Sequence, residues 1–422
     1  MPSDKKGQPC VLIIAPHGSY RTFAFIQAAE NLGINTLIAS EGKHSVISAY
    51  AEGIHVDFTS PESVYDELEK AIKGYDIRGV VATDDYTTEL AAKIARLLDL
   101  PHNIPEAVKL TQRKDLARDC LEKYRVNKPN HLRIDLKLEL KPQLSNIKFP
   151  VVVKPISLSA SKGVIRANNE VEAFEAVQRI EKLLQSMNDI GTDAKRYLLI
   201  EEFISGPEVA VEGMLQHGQL HLLTIFDKPD PLDGPYFEET YYTMPTVLDR
   251  AMQDKIIQLL QEACMAYGLT EGPIHAECRI HNGEVYLLEM AARTIGGLCA
   301  KLLSVGTGYS LEELVLAHAM DAPLEIKPAE QAAGVLMIPI PKAGVLKRIE
   351  GLLEAQALPF IDEINIQIRE GHELIPLPEG SSYLGFIFAY AGNAVQVEQA
   401  LREAHAKLKF VVSPIWKLQQ AG

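Results

Sequence analysis

The stretch EVYLLEMAARTIGG, residues 284–297, places charged side chains at the end of an apolar run. The run has the length of a buried strand, yet it ends on a carboxylate, Glu289, and Arg293 follows four residues later. A buried carboxylate is costly unless a positive group compensates its charge. The pattern therefore predicts a site where Glu289 meets a positive group.

A second charge at the end of an apolar strand is Lys154, in PVVVK. An ammonium is rarely buried without a partner, and the following loop contains Ser159, Ser161 and Gly163. Hydroxyls and backbone amides of such a loop can hold phosphate oxygens while the lysine supplies charge. Taken alone, a lysine that extends to solvent beside a flexible turn explains the pattern equally well.

Two further stretches favour a nucleotide site. TQRKDLARDCL places Lys114 at the start of a helix, and RYLLIEEFISGPEVAVEGML has the pattern of strand, short connector and strand. The connector at Glu202, Phe203 and Ile204 can offer backbone groups to an adenine edge while apolar side chains cover the adenine faces. Glu208, in the following strand, is then placed to accept hydrogen bonds from a ribose.

The order and spacing of these motifs resemble the ATP-grasp superfamily, and within it the carboxylate–amine ligases that join amino acids. The resemblance covers nearly the whole chain, through RKDLAR, VVVKP with its small-residue loop, EEFISGPE, GPIHAECRI and VYLLEMAAR. It implies an ATP-grasp fold of the α/β and α+β class. In that fold a parallel-sheet N-terminal α/β domain precedes the ATP-grasp domain, and a C-terminal α+β lid follows it.

The resemblance also implies roles for individual residues. Lys114 and Lys154 would contact ATP phosphates, and the loop 159–163 would close over them. Glu277 and Glu289 would hold Mg²⁺, or Mn²⁺ in its place. The groups around the adenosine would be Glu201, Glu202, Phe203, Ile204 and Glu208.

The metal pair makes a demand on local geometry. Two glutamates without a nearby Cys or His cluster match the preference of Mg²⁺ for hard oxygen ligands, and Asn-Gly at 282–283 is a hairpin signal. A strict two-residue turn pairs His281 with Glu284 and puts the two acids on opposite faces. A three-residue turn with a bulge pairs Ile280 with Glu284 and puts both acids on one face. The apolar pattern favours the first register, whereas the chemistry favours the second, which we predict.

The chain departs from the ATP-grasp pattern at Ala291, where many relatives have an Asn that serves as a further metal ligand. Water or a phosphate oxygen would replace it, or a second metal would be bound more weakly. Because of this departure, a protein that binds a nucleotide without turning it over remains an alternative. The presence of Lys154, Glu277, Glu289 and Arg293 argues for catalysis instead.

The reaction implied by the resemblance has two steps. A substrate carboxylate attacks the γ-phosphate of ATP to give an acyl phosphate, and an amine then displaces the phosphate to form an amide. Lys154 and Arg293 would neutralise the phosphoryl oxygens. Arg293 would lie near the transferred phosphate or the substrate carboxylate, where its planar guanidinium can bind oxyanions. His275 would polarise the acyl oxygen or act as a base, and a hydrogen-bonded structural role is the alternative.

The substrate side is less specific in its pattern. The loop 227–246 is suited to line a pocket in which Glu238 or Glu239 recognises an amino group, with a solvated connector as the alternative. Gly296 and Gly297 would let the backbone approach the substrate, although two glycines can also begin a helix. The expected partners are small molecules, namely amino acids or related carboxylates and amines.

Other ATP-grasp reactions remain as alternatives, namely those of purine-pathway and biotin-carboxylase-like enzymes. A sugar phosphate would require a second basic pocket, and the N-terminal loop 17–21 offers one obvious arginine, Arg21. That loop lies where open α/β sheets bind ligands. It is either a substrate loop or a tight turn in which Ser19 caps a helix.

The elements that position these residues follow from apolar periodicity. Residues 11–108 alternate strand-like and helix-like runs, which is typical of a parallel sheet. We predict an N-terminal α/β domain at 1–108 and an ATP-grasp domain at 109–325, with a nucleotide-clamping subdomain at about 145–205. A C-terminal α+β lid at 326–422 follows, with short strands between Gly and Pro turns.

Bulk composition narrows the class of protein. A chain of 422 residues with a net charge of -14 is globular and is not a general nucleic-acid or anionic-membrane binder. Five scattered cysteines without a CxxC pair argue against a disulfide framework or a zinc site. The N-terminal apolar run is too short for a signal peptide or a membrane span. We therefore expect a cytoplasmic protein, and dimeric relatives make a homodimer a further expectation.

Overall fold

The computed structural model describes residues 7–16, 18–41, 52–58, 61–188, 190–322, 324–326 and 331–415. The expectations for the first six residues, for His17 and for residues 416–422 lie outside this part of the chain. All five cysteines are free, as expected. Among the described residues no helix combines the length and apolar character needed to cross a membrane.

The N-terminal part is a parallel sheet flanked by helices. Its elements are β1 (Pro9–Ala15), α1 (Thr22–Leu32), β2 (Asn35–Ser40), β3 (Glu52–His55), α2 (Pro61–Ala71), β4 (Asp76–Ala82) and α3 (Asp85–Leu97). The strand order is β3-β2-β1-β4, and all pairs are parallel. The apolar side chains of β1 are buried on both faces of the sheet, as is typical of a strand covered by helices on both sides.

Two helices, α4 (Pro105–Gln112) and α5 (Lys114–Lys123), lead into a small antiparallel sheet. We call the unit formed by residues 131–202 the clamp. Its elements are β5 (His131–Asp135), α6 (Leu140–Leu144), β6 (Val151–Pro155), β7 (Ile165–Ala167), α7 (Glu170–Ser186), α8 (Thr192–Arg196) and β8 (Tyr197–Glu202). The strand order is β5-β8-β6-β7. Lys154 lies in β6 opposite Leu199 of β8, so the lysine is held in a hydrogen-bonded ladder.

The remaining chain forms one large antiparallel sheet and one small one. Its elements are β9 (Glu208–Gln216), β10 (Gln219–Lys228), β11 (Tyr241–Met244), α9 (Arg250–Tyr267), β12 (Gly272–His281), β13 (Glu284–Ala291), a 3-10 helix (Cys299–Leu302), α10 (Leu303–Thr307), α11 (Leu311–Ala319), β14 (Ala332–Ile338), β15 (Gly344–Glu350), α12 (Leu352–Gln356), β16 (Ile361–Ile366), β17 (Glu373–Leu374), β18 (Gly385–Ala391), α13 (Ala394–Lys407) and β19 (Lys409–Ser413).

The C-terminal region is continuous with the central region. Eight strands follow the order β13-β12-β9-β10-β11-β14-β18-β16, and three C-terminal strands therefore extend the central sheet, while β17-β15-β19 form a separate small sheet. At the β12 end, alternate residues Ala276 and Cys278 pack in the core with α9. Glu277 and Arg279, which alternate with them along β12, face a cavity on the other side of the sheet.

The turn between β12 and β13 differs from the prediction. Asn282 and Gly283 have positive φ angles of 52° and 78°, as the two-residue type I′ turn requires. His281 pairs directly with Glu284. The predicted three-residue turn is therefore wrong, and the register indicated by the apolar pattern is correct at this end of the hairpin.

A β-bulge further along the same hairpin reverses the consequence of that turn. Cys278 pairs with Leu287, but the next residue of β12, Glu277, pairs with Glu289, so Leu288 is an extra residue on β13. Such a bulge shifts the alternation of side chains by one position. Glu277 and Glu289 consequently lie opposite each other, and both face the cavity. This is the predicted arrangement of the two acids, but a bulge within β13 produces it, not a three-residue turn.

Candidate active site

A single cavity of about 1090 Å³ lies where the N-terminal domain, the clamp and the large sheet meet. With two exceptions, the predicted site residues line it: Lys114, Lys154, Ser159, Ser161, Glu201, Glu202, Phe203, Ile204, Glu208, Glu239, His275, Glu277, Glu289, Arg293, Gly296 and Gly297. The exceptions are Gly163, whose N–H donates to the carbonyl of Pro378 at 2.8 Å, and Glu238. Burial raises the pKa of Glu238, which accepts a hydrogen bond from the backbone of Ile340.

The two predicted phosphate-binding lysines are paired with carboxylates. Lys154 is 7% exposed, and its Nζ lies 2.5 Å from Oε2 of Glu201. Burial lowers the pKa of Lys154 more strongly than the charge of Glu201 raises it. The Nζ of Lys114 lies 2.9 Å from Oε1 of Glu289. In this structure Lys114 is thus the positive partner that the sequence requires for Glu289.

Glu201 is bound from two sides. Besides Lys154, the guanidinium of Arg118 lies 2.6 Å from its other carboxylate oxygen. Burial alone would raise the pKa of Glu201, but the charges of Arg118 and Lys154 outweigh burial and lower it to about 2. Glu201 therefore stays ionised, and its side chain is committed to these two cations. A role in binding adenosine would fall to neighbouring backbone groups.

The connector after β8 presents few free backbone groups. The N–H of Glu202 donates to Asn130 O at 2.8 Å, and that of Phe203 donates to Pro150 O at 3.1 Å. The carbonyl of Ile204 accepts from Arg279 at 2.6 Å. Among the described residues the N–H of Ile204 has no hydrogen-bond partner, unlike those of Glu202 and Phe203, so it is a donor that this connector can offer to a base.

A buried lysine, Lys228, stands among three glutamates. Its Nζ lies 2.8 Å from Glu208 and 3.6 Å from Glu277, and it also contacts Glu239. Burial opposes the charge on Lys228, but the three carboxylates raise its pKa well above the usual range. Glu208 is further bound by the guanidinium of Arg279 at 2.8 Å. Its carboxylate is therefore held in place at the edge of the cavity.

One ammonium cannot neutralise three carboxylates. Burial and the nearby charge of Glu277 raise the pKa of Glu239 to about 7, although Lys228 opposes this rise. Burial also acts on Glu277, but Lys228 and His275 outweigh it and hold the pKa of Glu277 well below the usual range. In this coupled pair the proton is therefore retained on the side of Glu239, where burial outweighs Lys228, and the negative charge lies on Glu277, where Lys228 and His275 outweigh burial.

The donor set for a divalent metal can be judged from these pairs. Glu208, Glu239 and Glu277 have oxygens within 4.8 Å of one another, but the ammonium of Lys228 already fills that position. Glu277 and Glu289 lie opposite each other on paired strands, and their side chains remain 25% and 31% exposed to the cavity. Two hard carboxylate ligands facing a nucleotide-sized cavity fit Mg²⁺. The residues present are therefore suited to hold this ion.

His275 is bound to an acid outside the predicted set. Its Nδ1 lies 2.5 Å from Glu212, whose other oxygen accepts from the N–H of Ile295 at 3.1 Å. Burial lowers the pKa of His275, but the charge and hydrogen bond of Glu212 outweigh it and raise the pKa to about 9. An imidazolium at neutral pH is a poor general base. The geometry instead favours a role in fixing the loop that follows Arg293.

The loop after β13 is fixed mainly by the N-terminal domain. Arg293 Nε lies 2.9 Å from Asp85, at the start of α3. Arg21 is 6% exposed and donates to the Oγ1 of Thr294 at 2.7 Å and to the carbonyls of Thr83 and Ile295. The N–H of Gly297 donates to the hydroxyl of Tyr20 at 2.6 Å.

The loop before α1 does not form the turn in which Ser19 would cap the helix. Helix α1 begins at Thr22, its N-cap residue is Arg21, and no side chain caps it. The Oγ of Ser19 is buried without a hydrogen-bond partner among the described residues. Ser19 is thus not the cap, and the loop contributes Tyr20 and Arg21 to the cavity wall.

Several residues in or beside the cavity were not predicted. Lys228 ends the apolar strand LTIFDK just as Lys154 ends PVVVK, so the same signal could have identified it. Asp84 and Asp85 follow β4, at the carboxyl end of a parallel strand where ligand sites form. The apolar wall formed by the segment after Gly297 and by the C-terminal region has no local signal; its residues are Leu298, Cys299, Met337, Tyr383 and Phe386.

Three family models match successive stretches of the chain. One described as ATP-grasp N-terminal domain matches residues 26–102, one described as ATP-grasp domain matches residues 147–301, and one described as L-amino acid ligase C-terminal domain 2 matches residues 336–413. Together they follow the order of the N-terminal sheet, the clamp with the central strands, and the C-terminal strands.

Known structures and relatives agree with these matches. The L-amino acid ligase from Bacillus licheniformis has a TM-score of 0.82 and 26% identity, over 96% of this chain and 99% of that one. Phosphoribosylglycinamide synthetase from Anaerococcus prevotii has a TM-score of 0.67 and 20% identity over 96% and 100%, a likeness of fold alone. Alanine–anticapsin ligase of Bacillus subtilis is 24% identical over 62% of this chain, and the match spans only 58% of that enzyme.

The fold, the cavity and these matches place the chain in the ATP-grasp superfamily. Within that superfamily it groups with the carboxylate–amine ligases, the ATP-dependent enzymes that form C–N bonds. The resemblance inferred from the motifs and the fold class are confirmed.

Proposed function

We propose that this protein condenses the carboxylate of an amino acid with an amine through an acyl-phosphate intermediate, releasing ADP and phosphate. The observation that carries the proposal is the convergence of Lys114, Lys154 and Arg293 with Glu277 and Glu289 in one cavity. Phosphoryl transfer to a carboxylate requires alignment and neutralisation of oxygens, and no protein nucleophile. This set of side chains supplies both requirements.

Each charged residue has a task that follows from its position. Lys154 and Lys114 would bind phosphate oxygens. Lys114 would exchange Glu289 for a phosphate as Glu289 turns to the metal. Arg293 has one edge held by Asp85 and would bind an oxyanion with the rest of its fork. When bound, Mg²⁺ would neutralise and orient the phosphate oxygens, and Glu277 and Glu289 are the residues that would hold it.

Water must be kept away from an acyl phosphate, because hydrolysis would waste ATP. The small-residue loop at 159–163 is in contact with the C-terminal region, where Gly163 binds Pro378. Residues of both segments, including Ser161 and Ser382, line the same cavity. We infer that this contact closes the phosphate end of the site during the reaction.

The cavity wall around Glu239 favours an amino acid as substrate. Glu239 lies near Lys228 and Glu277, and in its ionised form it would accept a hydrogen bond from an ammonium group. Met337, Tyr383 and Phe386 form an apolar wall beside it, suited to a nonpolar side chain. Gly296 and Gly297 bring the backbone close to this space, as their cavity position implies.

The purine-pathway alternative loses its main support at Arg21. This arginine was the obvious group for a sugar phosphate, but its guanidinium is buried and donates to Thr83, Thr294 and Ile295. It is therefore committed to internal contacts. Among the described residues of this loop, 18–21, no other basic side chain could form the second basic pocket that a sugar phosphate needs.

The decisive experiment measures phosphate release from Mg-ATP with the twenty amino acids, singly and in pairs, followed by mass spectrometry of the products. We expect release that depends on two amino acids and yields their condensed mass. Glu289→Gln should lower kcat at least about 100-fold, because one of the two proposed carboxylate ligands of the metal is replaced by a neutral and weaker one, while the protein remains folded. Metal-dependent turnover that is unchanged in Glu289→Gln would exclude this assignment of the metal pair. Nucleotide binding without any condensed product would instead favour a non-catalytic binding protein.

A further inference from the structure

Arg118 connects two parts of the site without touching the cavity itself. It lies in α5, is 2% exposed, and its Nε lies 2.6 Å from Oε1 of Glu201 in β8. Its Nη2 donates to the backbone carbonyl of Leu288 in β13. A single buried guanidinium therefore binds the partner of Lys154 on one side and the extra residue of the β-bulge on the other.

The contact with Leu288 explains why the bulge forms at this position. Leu288 has no partner on β12 in the strand register, so its carbonyl is released from the ladder. A carbonyl removed from water without a donor is destabilising, and the guanidinium of Arg118 supplies that donor. The bulge is thus stabilised by a residue from a distant helix.

Without the bulge, Glu289 could not face its partner acid. Val285 and Leu287 pack in the core with α9, and regular alternation would direct Glu289 to that same apolar face. The extra residue reverses this direction and places Glu289 opposite Glu277. The orientation of one proposed metal ligand therefore depends on the carbonyl that Arg118 binds.

The contact with Glu201 acts on the phosphate lysine. Glu201 binds Arg118 and Lys154 through its two carboxylate oxygens, so one negative charge faces two positive ones. These three charged groups together leave a net positive charge at the cavity wall, on the side of Lys154. Arg118 thus prevents Glu201 from fully neutralising the lysine that would bind a phosphate.

We propose that Arg118 is a positioning residue that orients Glu289 through the carbonyl of Leu288 and Lys154 through Glu201. The proposal rests on the function proposed above, because Glu289 and Lys154 act there on metal and phosphate. Arg118 would thereby align Glu289, the proposed metal ligand, with Lys154, the phosphate-binding cation, although Arg118 itself would contact neither the metal nor the phosphate. Its planar fork is essential, since two acceptors lie in different directions.

The test compares Arg118→Lys with Glu201→Gln and the wild-type protein. Lysine keeps the charge opposite Glu201 but lacks the fork that also reaches Leu288. Binding of Mn²⁺ is measured by electron paramagnetic resonance in the presence of ADP, and hydrogen exchange is followed in residues 286–290. For Arg118→Lys we expect about 10–100-fold weaker Mn²⁺ binding, the range typical of outer partners of metal ligands, and faster exchange in this segment.

Glu201→Gln serves as the matched control because it leaves the contact between Arg118 and Leu288 intact. It should weaken ATP binding through Lys154 while exchange in residues 286–290 stays at the wild-type level. Arg118→Lys with wild-type exchange and wild-type Mn²⁺ affinity would overturn the inference. Faster exchange in Arg118→Lys, together with a wild-type protein that binds no Mn²⁺, would support the bulge contact and refute the proposed metal pair, so the two failures are distinguishable. The exchange measurement needs only a folded protein, which a melting curve verifies.

Discussion

At the scale of single residues, buried ion pairs determine how this site responds to pH. His275 and Glu212 are both buried, and the pKa of His275 is raised to about 9 because the carboxylate outweighs the effect of burial. The charged pair joins β12 to β9 and, through Ile295, to the loop that carries Arg293. Deprotonation of His275 therefore weakens the support of that loop.

The pH dependence of stability follows from this shift. The folded pKa of His275, about 9, lies above the unfolded value of about 6.5. The pair therefore stabilises the fold fully below about pH 6.5, and its contribution is lost as the pH rises through about 9. We expect a contribution on the order of 3 kcal/mol. His275→Gln should remove this part of the alkaline loss, as measured by urea unfolding at pH 6 and pH 9.5. An equal alkaline loss in both proteins would contradict the assignment.

At the scale of elements, the connector between β8 and β9 is held close to the hairpin. Gly206 lies in this connector with φ of +114°, and a Cβ there would come within 2.1 Å of the carbonyl oxygen of Ile280. Arg279, from the same strand β12, binds the carbonyl of Ile204. The proposed adenine connector is therefore positioned by the strand that also carries Glu277.

A side chain at position 206 should displace this connector. Gly206→Ala would strain the backbone and collide with Ile280, so we expect destabilisation of about 1–3 kcal/mol together with weaker binding of a fluorescent ATP analogue. Gly218→Ala is the matched control, because Gly218 also has positive φ, at +80°, but a Cβ there meets only Thr270 at 3.9 Å. If both variants bind the analogue equally well, the connector is not positioned in this way.

At the scale of the whole molecule, the clamp contacts the C-terminal region next to the hydrogen bond between Gly163 and Pro378. Arg179 of α7 binds both carboxylate oxygens of Glu379, at 2.6 and 2.9 Å. Both side chains are roughly two-fifths exposed, so solvent and salt weaken the pair. Such a contact contributes little to global stability, and it can break and reform as the clamp moves.

Loss of this contact should loosen the phosphate loop without unfolding the protein. For Glu379→Ala we expect a stability change below about 1 kcal/mol, faster hydrogen exchange in residues 157–163, and more ATP hydrolysed per amide formed. Glu398→Ala is the control, because Glu398 forms a similarly exposed pair with Arg402 far from that loop. Exchange that rises equally in both variants would show that the contact does not close the loop.

Sequence reasoning was most successful where local pattern reports burial. Lys154 and Glu289 were identified because each charge ends an apolar strand, and both line the cavity. Sequence reasoning was less successful where a contact between residues far apart in the chain determines the local structure. The turn at 282–283 obeyed its local Asn-Gly signal, whereas the bulge at Leu288 depends on Arg118, which is 170 positions away. No local pattern in β13 could report that contact.

The charge cluster around Lys228 illustrates the same difference. Its position at the end of LTIFDK was a readable signal, but its three glutamate partners come from different strands and a loop. Glu208 and Glu239 were predicted to serve ribose and substrate, and both are held by this lysine in the structure. The identity of a partner across a sheet requires the strand order, which periodicity alone does not determine.

The continuous eight-stranded sheet has a consequence for the timing of the reaction. Strand β11 pairs with β14 from Tyr241 to Met244, so the C-terminal wall cannot swing away from the central strands without breaking this ladder. The clamp, in contrast, has its own four-stranded sheet and can move as a unit. Product amide beside the C-terminal wall and ADP beneath the clamp would then be released by one and the same opening movement. The rate of that movement would set an upper limit on turnover for every pair of substrates.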